Sequence, residues 1–184
     1  LRLRTTYELA ALYAVTFGGF VAFGVYLPTY LTTAYDLSVA DAAARAAGFV
    51  VVATVARPVG GWLADHFGGV EVLRVVFGVV AFFAVITAFT PVMPVLTVAM
   101  LSMAAALGLG NGAVFALVGT RVPAGSVGAV TGVVGAAGGL GGFLPPIVMG
   151  AVHELTGSYA IGLMLLSDVA LAARVAAEAV GGEI

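Results

Sequence analysis

The sequence predicts an all-α membrane protein, a bundle of six membrane-spanning helices. Of its 184 residues, 62% are hydrophobic and only 9% charged, whereas a soluble domain carries about 25% charged residues. Mean hydropathy is +1.17, so the chain is too poor in charge to make a surface that faces water. Six apolar stretches reach the roughly 20 residues that cross a bilayer as a helix. None shows the period-two polarity of a membrane barrel strand.

The spans fall at residues 8–33, 42–63, 70–90, 93–118, 127–152 and 159–179, the last being the weakest by hydropathy. Turn chemistry separates them: "YDLSVAD" after the first, "DHFGG" after the second, "TPVMP" after the third, "TRVPAGS" after the fourth and "HELTGS" after the fifth. These connections are short, so consecutive helices run antiparallel. The chain has no Lys, and Arg carries the whole orientation signal. Arg2, Arg4, Arg74, Arg121 and Arg174 fall on one side, the expected cytoplasmic side, together with both termini. Asp36, Asp41 and Glu154 fall on the other with Arg45, which Asp41 can hold as an i,i+4 pair. A multi-pass protein of the inner or plasma membrane is expected.

Cys is absent, which excludes disulfides, thiolate metal sites and cysteine nucleophiles. His66 and His153 are the only histidines and lie far apart in sequence, so neither a metal site nor any other cofactor is expected. No nucleophile–base constellation suggests an enzyme. The net charge of −2, with no basic patch, gives no reason to expect a nucleic-acid partner. The lipid bilayer is the expected surrounding.

In the second span, "VATVARPVGG" sets Arg57 about 11 residues into an apolar helix, or ~17 Å along its axis. A charge near the bilayer centre costs at least ~2.5 kcal/mol. Two readings follow. Arg57 snorkels past Gly60 and Gly61 to the headgroups, or it binds an anion. A guanidinium is always charged and forks its donors toward two oxygens, which suits a small planar oxyanion such as nitrate, nitrite or a carboxylate. No flanking span carries a central acid to neutralise it except Asp168 in the last. Pro58 frees a backbone carbonyl one turn earlier and loosens the helix, as in the broken helices of transporters.

The fifth span holds "GAVTGVVGAAGGLGGFLPP". Gly128, Gly132, Gly135, Gly139 and Gly142 step by four, three, four and three, making one stripe that Gly138 and Gly141 widen. Glycine costs ~1 kcal/mol against Ala in a helix, so this density has a cause: close helix packing, or bare backbone lining a substrate path. Pro145 and Pro146 then break the helix. In the fourth span Asn111 stands between Gly110 and Gly112, either as an interhelical hydrogen-bonding amide or as a donor to an anion. In the first, Tyr13, Phe17, Phe20 and Gly24 share a face, an aromatic stripe that reads as packing. The Tyr13 hydroxyl is a donor held deep in the span. Asp168 reads as a proton carrier, a partner for Arg57, or the mark of an imperfect last span.

"GGWLADHFGG" resembles the loop motif of the major facilitator superfamily, G-x-L-A-D-R-x-G-R/K, through Gly61, Leu63, Ala64, Asp65 and Gly68. His66 and Gly69 depart from its two basic positions. "YAVTFGGF", "ARPVGGWLADHFGG", "GLGNGAVFALV" and "TGVVGAAGGLGGFLPP" together resemble the C-terminal half, spans seven to twelve, of nitrate/nitrite porters. The resemblance implies half of a major facilitator fold over residues 1–184, with a complementary N-terminal half as partner and nitrate or nitrite as cargo. It places Arg57 as the anion clamp, Tyr13 as a hydrogen-bond donor to the anion, and Asn111, Gly135, Gly138 and Gly139 beside the site. It makes Pro58, Gly61, Asp65 and Gly68 parts of the gate, with Asp65 capping a facing helix. Gly128, Gly132 and Gly142 are left to helix packing. Anion exchange by alternating access is the simpler transport mode, with proton symport as the other. A facilitator for another anion, a sugar or a drug, and a non-transporting membrane fragment, are the alternatives.

Overall fold

A computed structural model describes residues 3–157 and 160–181. Six helices account for nearly all of them: α1 (Leu3–Tyr35), α2 (Val39–Phe67), α3 (Gly69–Ala88), α4 (Met93–Arg121), α5 (Val127–Thr156) and α6 (Ala160–Gly181). A single 3-10 turn, Ala124–Ser126, precedes α5. Each helix is long and apolar enough to cross a membrane. The helices extend a few residues beyond most of the expected spans, because their polar ends are held locally. Arg4 donates to Glu8 at 2.9 Å on the first turns of α1. Ser38 caps α2 by accepting from the Asp41 amide at 3.2 Å, and the expected Asp41–Arg45 pair forms at 3.3 Å. Tyr159, the expected first residue of the last span, lies outside the described residues.

Two joints follow from backbone chemistry. Gly68 takes φ +90° between α2 and α3 while its N–H returns to the Ala64 carbonyl at 3.0 Å. Gly157 takes φ +66° where α5 ends. Side chains rarely adopt either conformation, which is why glycine stands at both. Pro94 sits in the first turn of α4, where its missing N–H costs nothing. The expected break at Pro145 and Pro146 does not occur: α5 runs unbroken to Thr156. The carbonyls that lose their donors are those four residues back, on Gly141 and Gly142.

Interhelix contacts fix the topology. Along α1 and α5, Tyr13 meets Gly138 and Val21 meets Gly142, so these helices run parallel. Along α2 and α4, Ala53 meets Gly108 and Arg57 meets Gly112, again parallel. Along α3 and α6, Arg74 meets Glu178 and the Ala81 carbonyl accepts from Ser167 at 3.1 Å, so this pair is antiparallel. Every pairing agrees with a chain that alternates direction at each connection. The core lies mainly along α1, α3 and α4, with Leu9, Phe77, Met103 and Val114 almost fully enclosed together with Phe49 of α2. By contrast, α2 and α5 are the least buried helices and present Trp62, Leu140 and Phe143 outward.

Candidate functional site

The site centres on Arg57 of α2. The residue is half-buried, and its Nε is enclosed without a hydrogen-bond partner. No carboxylate of the described residues lies within ion-pair distance of it. Asp168, for which a pairing with Arg57 is one of several readings, is exposed on α6 and forms no ion pair with Arg57. What meets the guanidinium is aromatic: its Cζ lies 4.9 Å from the Phe20 ring centre and 5.3 Å from that of Phe17. Cation–π contacts contribute about 0.5–2 kcal/mol each, enough to offset much of the ~2.5 kcal/mol or more of burying the charge. They do so without cancelling that charge, so the guanidinium keeps its attraction for an anion.

The rings continue into a cluster. Tyr13 stacks on Phe17 at 5.2 Å and meets Phe115 of α4 edge-on at 4.8 Å. The Tyr13 ring is buried against Gly138, where an added Cβ would come within 2.5 Å of it. The hydroxyl makes no hydrogen bond among the described residues. Phe17 and Phe20, which sequence reading left as packing, are thus the platform on which Arg57 rests. Their spacing of four and seven residues from Tyr13 was the available signal.

Asn111 lies one turn before Phe115 on the same face of α4. It is 1% exposed, and neither its Nδ2 nor its Oδ1 has a partner among the described residues. An interhelical hydrogen bond, one of the two expected roles, is therefore not made. Buried amides without partners are rare, and this one adjoins Gly112, which packs on the Arg57 backbone.

The backbone of α2 around Arg57 is held by Gly108 and Gly112 of α4. A Cβ on Gly112 would overlap the Arg57 carbonyl, and one on Gly108 would overlap that of Ala53. Gly60 in turn meets the Leu109 backbone. Gly108 and Gly112 form the small-xxx-small spacing that lets membrane helices touch backbone to backbone. This clamp spans Pro58, which is exposed, so the proline does not by itself free α2 from its neighbour. A Cβ added at Gly61 would find only the Gly112 carbonyl, at 3.9 Å, but one added at Gly112 would come within 2.6 Å of the Gly61 nitrogen, so Gly61 is part of the same backbone contact.

The glycine stripe of α5 divides. Gly138, Gly141 and Gly142 pack on Tyr13, Ala14 and Val21 of α1. Gly128, Gly132, Gly135 and Gly139 have no atom within 4 Å of an added Cβ. They line a face roughly a quarter-turn from the buried one, counting 100° per residue. Within this chain Gly128 and Gly132 do not pack a helix, and Gly138 is covered by an aromatic ring rather than open. Asp65 is exposed at the far end of α2 with no partner among the described residues, so it caps none of the described helices. Beside it, His66 Nδ1 lies 2.8 Å from the Trp62 carbonyl.

Six long apolar helices in alternating directions, with a charged side chain held on aromatic rings between them, define a multi-pass membrane protein. The sequence model of the Major Facilitator Superfamily matches residues 2–174, and the chain belongs to that superfamily. It is 50% identical over 174 residues to a probable nitrate/nitrite transporter, NarK2, of Mycobacterium tuberculosis, covering 94% of this chain and 44% of that protein. It is 44% identical over 167 residues to a nitrite extrusion protein of Bacillus subtilis, covering 91% and 42%. Against a probable nitrate transporter, NarT, of Staphylococcus haemolyticus it is 41% identical over 161 residues, covering 88% and 42%. The chain thus spans less than half the length of these relatives.

Proposed function

We propose that this chain forms one six-helix half of a nitrate/nitrite transporter and supplies half of its anion site. The single observation that carries the reading is Arg57: a charged group among apolar helices, seated on Phe17 and Phe20, with an enclosed Nε and no carboxylate partner among the described residues. Such a group is completed by an anion from outside. A fork of parallel donors fits a small planar oxyanion, and Tyr13 and Asn111 offer neutral donors on the neighbouring helices. The names of the related proteins support nitrate or nitrite as that anion.

In this reading the open faces of α2 and α5 meet a complementary half across the transport path. Gly135 and Gly139 bring bare backbone to that path, with Gly128 and Gly132 on the same strip. Binding the anion lowers the cost of closing the two halves around a dry site. That supplies the differential affinity on which alternating access depends. Both termini lie on the cytoplasmic side by the distribution of arginine. Pro58, Gly61, Asp65 and Gly68 lie toward that side, where Asp65 is free to cap a helix of the other half.

The test is competition for nitrite uptake into proteoliposomes holding the complete transporter that contains this chain. Nitrate and nitrite should compete, while sulfate, acetate and neutral sugars should not. Equal competition by acetate or by a sugar would overturn the assignment of substrate.

A further inference from the structure

Away from Arg57, a second cavity lies at the end of the bundle where α1 begins and α4 ends. The pairing of helices creates it. α5 packs on α1 and α4 packs on α2, so the connection from α4 to α5 bridges two pairs instead of closing a tight hairpin. Beneath that connection is a pocket of about 220 Å³. It is lined by Thr5 and Thr6 of α1, Arg121 at the end of α4, Ser126 just before α5 and Val130 within it. Val130 is 1% exposed and makes an apolar floor, and Thr6 is 6% exposed. Ser126 stands at the start of α5 without capping it, so its hydroxyl is not spent on the helix. Arg121 is half-buried. A guanidinium has five N–H donors, more than a single partner takes up. No carboxylate lines the pocket among the described residues.

The pocket thus presents one fixed positive charge, three hydroxyls and no acid. We propose that it is a second binding site for a small monovalent oxyanion of the transported class, a staging site at the cytoplasmic mouth that passes nitrate or nitrite to and from the central site. One guanidinium balances a monoanion, whereas a dianion would keep an unmatched charge. The volume holds a four-atom anion with a few waters at ~30 Å³ each. Position links it to the central site. Thr6 and Tyr13 are seven residues apart, on one face of α1 and ~10 Å along its axis. On α5, Val130, Val134 and Gly138 follow at four-residue steps from the pocket to the Tyr13 ring. Leu9 and Val134, both 0% exposed, stand between the two positions as an apolar collar. The collar makes the pocket a separate site and not an extension of the first. The inference rests on the proposed function for its substrate and for its side of the membrane.

The experiment is nitrate transport by the complete transporter in inside-out and right-side-out vesicles, with KM measured separately from each face. Arg121→Gln should raise KM at the cytoplasmic face about fivefold, the equivalent of the ~1 kcal/mol of a half-exposed ion pair. KM at the outer face should not change. Arg121→Lys keeps the charge and should stay close to the parent. Thr6→Val removes one hydroxyl at similar size and should act as Arg121→Gln does, but less. Should Arg121→Gln disturb the helix end, Thr6→Val decides alone. Unchanged KM at the cytoplasmic face in both variants, or an equal rise at both faces, would overturn the proposal, the second result marking a structural role. Phosphate competing at that face as well as nitrite does, or a KM that follows the phosphatidylglycerol content of the vesicles, would also overturn it, by assigning the pocket to a phosphate group. Failure of the substrate reading looks different. The unmodified protein would then show no saturable nitrate transport from either face, and this proposal would fall with it.

Discussion

Replacing Asn111 with leucine should stabilise the empty protein while weakening its hold on nitrate. The side chain is 1% exposed, and both its amide nitrogen and its oxygen lack partners among the described residues. Each unpaired buried group costs about 1–3 kcal/mol, and an apolar group of similar shape removes that cost. Water entering the site offsets part of it, so a net gain of about 1–3 kcal/mol is expected for Asn111→Leu. On the scale of a domain this size, that raises the unfolding midpoint by roughly 2–12 °C. Thermal unfolding in detergent, with and without nitrate, provides the assay. The variant should melt higher than the parent without nitrate and gain less from adding it, since stabilisation by a ligand follows its affinity. A lower melting point for the nitrate-free variant would refute the reasoning. It would mean that Asn111 holds the bundle together through a bond it makes in the folded state.

Gly112→Ala should destabilise by about 1–3 kcal/mol, because the new Cβ overlaps the Arg57 carbonyl and backbone cannot yield as a side chain does. Gly119→Ala on the same helix, where the space is open, should be neutral or slightly stabilising in the same melting experiment. Gly139→Leu should leave the melting of this half unchanged yet abolish nitrate uptake by the complete transporter, since its face is open here and faces the other half in the proposed assembly. Normal uptake by that variant would remove Gly139 from the path.

Much of the fold was legible because the bilayer imposes a simple rule. Twenty apolar residues bounded by polar turns read as a helix whatever their neighbours, and each of the six expected spans falls on its own helix, the third overrunning the end of α3 by Phe89 and Thr90. Superfamily membership was legible from the "GGWLADHFGG" joint, where Gly68 answers to a backbone φ that side chains avoid. Contacts between helices were harder to read. The five-glycine stripe of α5 looks like one surface on a helical wheel, but only neighbours decide which glycines are touched. Here α1 reaches Gly142 of the stripe, with Gly138 and Gly141 beside it, and leaves Gly128, Gly132, Gly135 and Gly139 open. The clamp on Arg57 was hidden for the opposite reason. Asn111 drew attention to "GLGNG", whereas Gly108 and Gly112 on either side make the backbone contact with α2. The prolines of α5 misled because a missing N–H weakens a helix without ending it when packing holds both sides. Phe17 and Phe20 were visible as a stripe, but nothing in sequence says that a cation from another helix will lie on them.

The most direct measurement is nitrate uptake by the complete transporter carrying Arg57→Lys. Lysine keeps the positive charge but replaces a planar fork with a single point donor. Losing one charge-assisted hydrogen bond of about 1.5–3 kcal/mol should lower uptake at subsaturating nitrate by roughly 10- to 100-fold. Uptake by Arg57→Lys at the wild-type rate and with the wild-type nitrate dependence would contradict the account, because Arg57 would then be a charge near the path and not the clamp on the anion.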